Sequence, residues 1–155
     1  MKIVRTLSFL APVLLAGCGE DDGPRDYLKI AGGGLTFNYR YSQATAVVVA
    51  KQVYPLPDGA MVEVTFDLPG KQGQERVERP AIAGKLSYKL ESSPMTGILK
   101  GEPLQVTLLV RDAKGLVIDR DETHYTSDVN QSDLPSEPLV QPDKPNYIPQ
   151  LENLK

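Results

Sequence analysis

Leu56-Pro57-Asp58-Gly59-Ala60-Met61-Val62-Glu63-Val64-Thr65-Phe66-Asp67-Leu68 decides the fold class. Leu56 to Gly59 is a turn: proline presets φ, aspartate bonds its own backbone, and glycine supplies a positive φ. Val62, Val64, Phe66 and Leu68 then alternate with Glu63, Thr65 and Asp67. A period of two is the mark of a half-buried strand. The same unit, a turn feeding an alternating strand, recurs in both directions along the chain.

Upstream, Ala44 to Tyr54 is valine-rich, with Val47, Val48 and Val49 in a row. It reads as a strand buried on both faces, or near the centre of a sandwich. Before it, Leu35, Phe37, Tyr39 and Tyr41 alternate with Thr36, Asn38 and Arg40. Tyr39 and Tyr41 share a face with Leu35 and Phe37, so core packing is expected of them rather than a flat platform for a sugar. Tyr54 and Tyr147 are freer for such a role. Tyr27 to Ile30 reads as a first short strand, interrupted by Ala31-Gly32-Gly33-Gly34 as a flexible link. A glycine cradle for phosphate needs a strand-to-helix setting, and no helical pattern follows.

Downstream, Glu75 to Glu78 reads as a short edge strand ended by Pro80. Leu86, Tyr88 and Leu90 alternate, as do Leu104, Val106, Leu108 and Val110. Ser92 to Gly101 is a long connection. Asp112 to Gly115 is a hairpin turn, and Leu116 to Ile118 begins the return strand. That strand contains a conflict of parity. With Leu116 and Ile118 inward, strict alternation buries Arg120, Glu122 and His124, while Tyr125 has the opposite parity. A β-bulge or register change between Asp119 and Thr123 is expected. No segment carries a helical apolar stripe. Seven or eight short strands, punctuated by thirteen glycines and thirteen prolines, predict one all-β domain over residues 27–130. Its expected form is a single immunoglobulin-like antiparallel β-sandwich.

The N-terminus has a different grammar. Lys2 and Arg5 precede a run from Thr6 to Gly17 that is nearly free of polar groups. Charged, then apolar, then small is the pattern of a secretory signal. The run is too short for a span of about 20 apolar residues, and Glu20, Asp21 and Asp22 follow it closely. Leu15-Ala16-Gly17-Cys18 resembles the lipobox of bacterial lipoproteins. The resemblance implies cleavage before Cys18, residues 1–17 being the signal peptide, and a thioether from Cys18 to diacylglycerol, usually with a further acyl chain on the new amine. Two or three chains anchor stably where one is marginal. Residues 18–26, polar and acidic, form a lipidated tether. Gly19 after the cysteine, where an aspartate favours inner-membrane retention, leans towards the outer membrane.

After Val129 the composition shifts again. Pro135, Pro138, Pro142, Pro145 and Pro149 mark residues 131–155 as an extended, proline-rich tail. Leu139, Val140, Tyr147 and Ile148 are its candidate partner-binding anchors. A strap along the protein's own sandwich and plain disorder are the other readings of the tail.

Charge and residue types limit the chemistry. The net charge is −3, and the leader removes two basic residues and no acidic one. Nucleic acid needs a concentrated basic face and is not expected as a partner. Cys18 is the only cysteine; once lipidated it leaves no thiol for catalysis, disulfides or metal. His124 is the only histidine, with no G-x-S-x-G or S-x-x-K motif to supply a serine nucleophile. Asp119, Asp121 and Glu122 are the densest acidic cluster in the domain. They lack calcium-loop spacing and read as solvated surface charge. No catalytic residue, metal or cofactor is expected.

Leu56-Pro57-Asp58-Gly59-Ala60-Met61-Val62-Glu63-Val64 also resembles the L-P-x-G-A-x-V-E-V segment of a family of small β-sandwich lipoproteins that includes pilotin-like proteins of type III secretion systems. Gly101-Glu102-Pro103-Leu104-Gln105-Val106, a short hairpin and Thr123-His124-Tyr125 are similar in layout. The resemblance implies a sandwich at the outer membrane and, for pilotin members, help in carrying or assembling a secretin ring without catalysis. It carries over no functional residues. The expectation is a periplasm-facing lipoprotein of the cell envelope, held to the bilayer by acylated Cys18. Its expected role is a non-catalytic binding or assembly factor for an envelope protein, not an enzyme. The alternative is a ligand-binding module for peptidoglycan, glycan or a small envelope solute, which requires an apolar pocket with convergent polar groups.

Overall fold

The alternating stretch at Met61 is a central strand of the larger of two sheets. The computed structural model describes residues 25–135. Seven strands appear there: β1 (Leu28–Asn38), β2 (Gln43–Gln52), β3 (Met61–Asp67), β4 (Gln74–Pro80), β5 (Ser87–Glu91), β6 (Leu104–Arg111) and β7 (Val117–Tyr125). They form antiparallel sheets of order β1-β2-β5 and β4-β3-β6-β7. In immunoglobulin lettering this is A-B-E against C′-C-F-G, so the fold is an all-β, immunoglobulin-like sandwich.

The core lies between the sheets. Val62, Val64 and Phe66 of β3 and Val106, Leu108 and Val110 of β6 face Ala44, Ala46, Val48 and Ala50 of β2. The alanines make room for bulk: Ala50 pairs in register with Tyr88, a ring 1% exposed. The Tyr88 hydroxyl accepts the Ile82 N–H at 3.0 Å, which satisfies its polar tip. Val47 and Val49 are only half-buried, so β2 is central in its sheet but fully covered on one face alone.

Two bulges reconcile parity with burial. In β1 the register shifts between Ile30 and Gly32. Ala31 is the extra residue, and it brings Leu28 and Ile30 onto the same side as Leu35 and Phe37. The glycines do not interrupt the strand; Gly32, Gly33 and Gly34 pair with Val49, Val48 and Val47. The expected flexible link is therefore ladder. Gly33 has φ +144°, and a Cβ there would lie 2.1 Å from the Val47 carbonyl oxygen and 2.2 Å from the Tyr125 hydroxyl. Only glycine lets Tyr125 close on β1.

In β7 the bulge falls at Ile118, between the pairs Val110–Asp119 and Arg111–Val117. The ladder from Asp119 to Tyr125 is regular, so the expected irregularity between Asp119 and Thr123 is absent and sits just before it. Its effect is the one parity demands: Asp119, Asp121, Thr123 and Tyr125 are half-buried, while Arg120, Glu122 and His124 are exposed.

Other expectations are corrected at strand ends. β1 stops at Asn38, and Tyr39 and Tyr41 lie in the turn to β2, where Ser42 has φ 54°. Tyr39 is exposed rather than core, because the alternation runs past the strand into the turn. Leu86 and Leu116 precede β5 and β7 and are also exposed.

Candidate functional site

The sandwich has two unlike ends. At the entry end, residues 25–27 come in, and Tyr27 O accepts the Val53 N–H at 2.8 Å. The β2–β3, β4–β5 and β6–β7 connections share this end. Gln52 N–H donates to Leu86 O, and the site of a Gly59 Cβ lies 3.0 Å from Ala113 Cβ. At the exit end lie the β1–β2 turn, the β3–β4 loop, the β5–β6 connection and residues 126–135.

The exit end holds a cavity of about 420 Å³, with Leu35, Leu68, Ile98, Leu99 and Leu104 as its apolar lining. Asp67, Gln74 and Glu102 stand among these apolar groups. Asp67 accepts from Gln74 Nε2 at 2.7 Å, so its carboxylate is held in place while Glu102 stays exposed. The volume and the few convergent polar groups are those of a small-molecule or side-chain pocket. The lining residues named include no serine, cysteine or histidine to act as nucleophile or base. An apolar side chain or an amphipathic solute bearing N–H or O–H donors fits its chemistry.

The wall of the cavity is braced from behind. Ile98 donates to Gln131 Oε1 at 3.2 Å and accepts from Gln131 N–H at 2.8 Å, while Gln131 Nε2 donates to Ser42 O at 2.9 Å. One glutamine thus ties three segments. Asn130 and Asp133 form a capping box on the short turn Gln131–Asp133, and Ser42 Oγ donates to Pro135 O. The cavity residues come from β1, from the β3–β4 loop and its flanks, and from residues 98–104; the Ser92 to Gly101 connection carries no periodic pattern to draw attention. The available signal was the apolar pair Ile98-Leu99 inside a loop bounded by Gly97 and Gly101.

The seams between the sheets are closed by carboxylates. Asp119 Oδ2 accepts Tyr27 N–H at 2.7 Å and Leu28 N–H at 2.8 Å, and Asp121 Oδ2 accepts Ile30 N–H at 2.9 Å. These amides point away from β2 and would otherwise be a bare strand edge. On the opposite seam Glu75 accepts from Ser93 N–H and Oγ. Asp119 and Asp121 are therefore not the solvated charges expected of them; the bulge at Ile118 turns them onto β1. Glu122 remains outside, paired with Arg120.

On the outer face of the larger sheet, Glu63 is 3% exposed and lies between Arg111 Nε at 2.7 Å and Arg76 Nη2 at 2.8 Å. The hydrogen bond to Glu63 raises the Arg111 pKa. Two guanidinium groups satisfy the buried carboxylate, so this cluster is a brace between β4, β3 and β6. His124 stands exposed on the same face, opposite Gln105. Tyr54 is exposed at the entry end, with the Arg25 guanidinium 5.7 Å from its ring centre. Among the described residues, no group of three or more metal-ligating side chains converges.

Cys18, Leu139, Val140, Tyr147 and Ile148 lie outside the described residues. Compared with known proteins, the chain matches no family model and no curated sequence.

Proposed function

We propose that the protein is a membrane-anchored, periplasm-facing lipoprotein of the bacterial envelope. It acts as a non-catalytic binding or assembly factor, and the exit-end cavity receives an apolar side chain of its protein partner. The supporting observation is the 420 Å³ apolar cavity, set at the end opposite the one where the tether joins the domain. A partner is thereby met on the side turned away from the bilayer. The lipobox-like Leu15-Ala16-Gly17-Cys18 supports the anchor, and the resemblance of residues 56–64 to pilotin-like lipoproteins supports assembly work at the outer membrane.

Photo-crosslinking in intact envelopes tests the contact. A crosslinker at position 99, on the cavity, yields a discrete protein adduct, and one at position 89, on the exposed face of β5, does not. Glu102→Arg diminishes the adduct from position 99. Equal adducts from both positions, or none from 99, remove the cavity as the contact. The cavity volume and the trio Asp67, Gln74 and Glu102 also favour a second reading, the binding of a peptidoglycan fragment, glycan or small solute. Under that reading the purified lipoprotein carries a small-molecule mass in native spectra in place of a protein adduct.

A further inference from the structure

Burial in the core leaves the entry end with an unexplained surface. Nine large apolar or aromatic side chains are exposed among the described residues, and six of them stand at this end: Val53, Tyr54, Ile82, Leu86, Leu116 and Val117. Leu86 is 70% exposed and Leu116 66%. Three separate connections and the first residue of β7 supply them, brought side by side by the topology. The hydrogen bond from Gln52 to Leu86 and the approach of Gly59 to Ala113 hold these connections together. Exposed Lys51, Lys85 and Lys114 lie among them, with Asp58 and Asp112 as the acidic residues of the same loops. The exit end exposes Glu102, Asp128 and Asp133 together with Arg40 and Lys100, so the apolar tips rather than net charge set the two ends apart.

We propose that the entry end is a bilayer-contacting face, resting its apolar tips in the headgroup region of the membrane that holds Cys18. The inference rests on the lipoprotein reading. Its occupant follows from chain length: Arg25 stands seven positions after Cys18, a reach of at most about 25 Å. Within that radius the bilayer is at an effectively high local concentration, so weak insertion of a few side chains is sufficient to orient the domain. Aromatic and aliphatic tips beside lysines match the interface, where apolar bodies sink and ammonium groups meet phosphates. With this face down, the long axis of the sandwich stands off the membrane and presents the exit end outward.

The test uses the full lipidated chain reconstituted in vesicles of phosphatidylethanolamine and phosphatidylglycerol. Acylated Cys18 cannot take a thiol label, so Leu86→Cys and Leu99→Cys each accept one environment-sensitive fluorophore. Spin-labelled lipid is expected to quench the probe at 86 several-fold more than the probe at 99, with a blue shift at 86 alone. Equal quenching at the two positions overturns the proposal. A blue shift at 86 that grows with protein density and resists lipid quenching also overturns it, and assigns the face to a second copy. Mass analysis of the Cys18 peptide separates the two failures. An acylated peptide with no quenching at 86 rejects the face and keeps the anchor; an unacylated peptide rejects both.

Discussion

The entry and exit ends are built from the same sandwich, yet they treat apolar residues in opposite ways. At the exit end Ile98 and Leu104 are nearly fully buried and line a cavity braced by Gln131. At the entry end Val53, Ile82, Leu86 and Leu116 project outward, and the hollow beneath is only about 200 Å³. Packing accounts for the first arrangement. It does not account for the second, because a domain of this fold gains nothing by exposing apolar side chains on three connections. What differs is the surroundings each end is shaped to meet.

The contrast can be broken first at the exit end. Ile98→Ala removes a buried side chain from the cavity floor and is expected to cost about 3 kcal/mol, read from urea unfolding. A cost near zero would mean that this end is as loosely built as the other. At the entry end the expected effect is smaller and local. Asp119→Ala strips the acceptor from the Tyr27 and Leu28 amides, costing about 2 kcal/mol. Hydrogen exchange should show those amides losing protection while Ile98 and Gly101 keep theirs. Loss of protection at both ends would show the two to be one cooperative unit.

The smallest effect lies on the strand that joins the ends. Burial raises the Tyr125 phenol above its ordinary pKa. The folded state therefore holds the proton where the unfolded chain releases it. This contribution is complete below a pH of about 10 and is lost as pH climbs through the raised value. Tyr125→Phe is expected to flatten that alkaline decline in stability, measured by denaturant unfolding across the range. An unchanged slope would place the Tyr125 ring in water rather than against Gly33.

Much of the fold was legible because β3 and β6 carry unbroken alternation, and Val62, Val64, Phe66, Val106 and Leu108 all face the core as that pattern requires. Edge strands were harder. Glycine shows no period, so the ladder through Gly32, Gly33 and Gly34 left no trace. The clue lay on either side, in the even numbers of Leu28 and Ile30 against the odd numbers of Leu35 and Phe37. In β7 the parity conflict was visible, but its resolution at Ile118 was not. The placement of that one residue decides whether Asp119 and Asp121 meet water or the amides of β1. The cavity was harder to read: Leu35, Leu68 and Leu104 stand at the ends of strand alternations, but Ile98 and Leu99 come from a connection that follows no period.

The carboxylate seam has a mechanical consequence. β1 and β7 both run from the entry end to the exit end, and they lie side by side through Asp119, Asp121 and Tyr125. A pull between a lipid held at the N-terminal side and a partner held at the exit end loads β1 along β2 and β7 along β6. The ladder hydrogen bonds are then strained together in shear rather than parted one by one. The seam couples the two loaded strands to each other, so under the proposed anchorage the sandwich would act as a stiff link between lipid and partner.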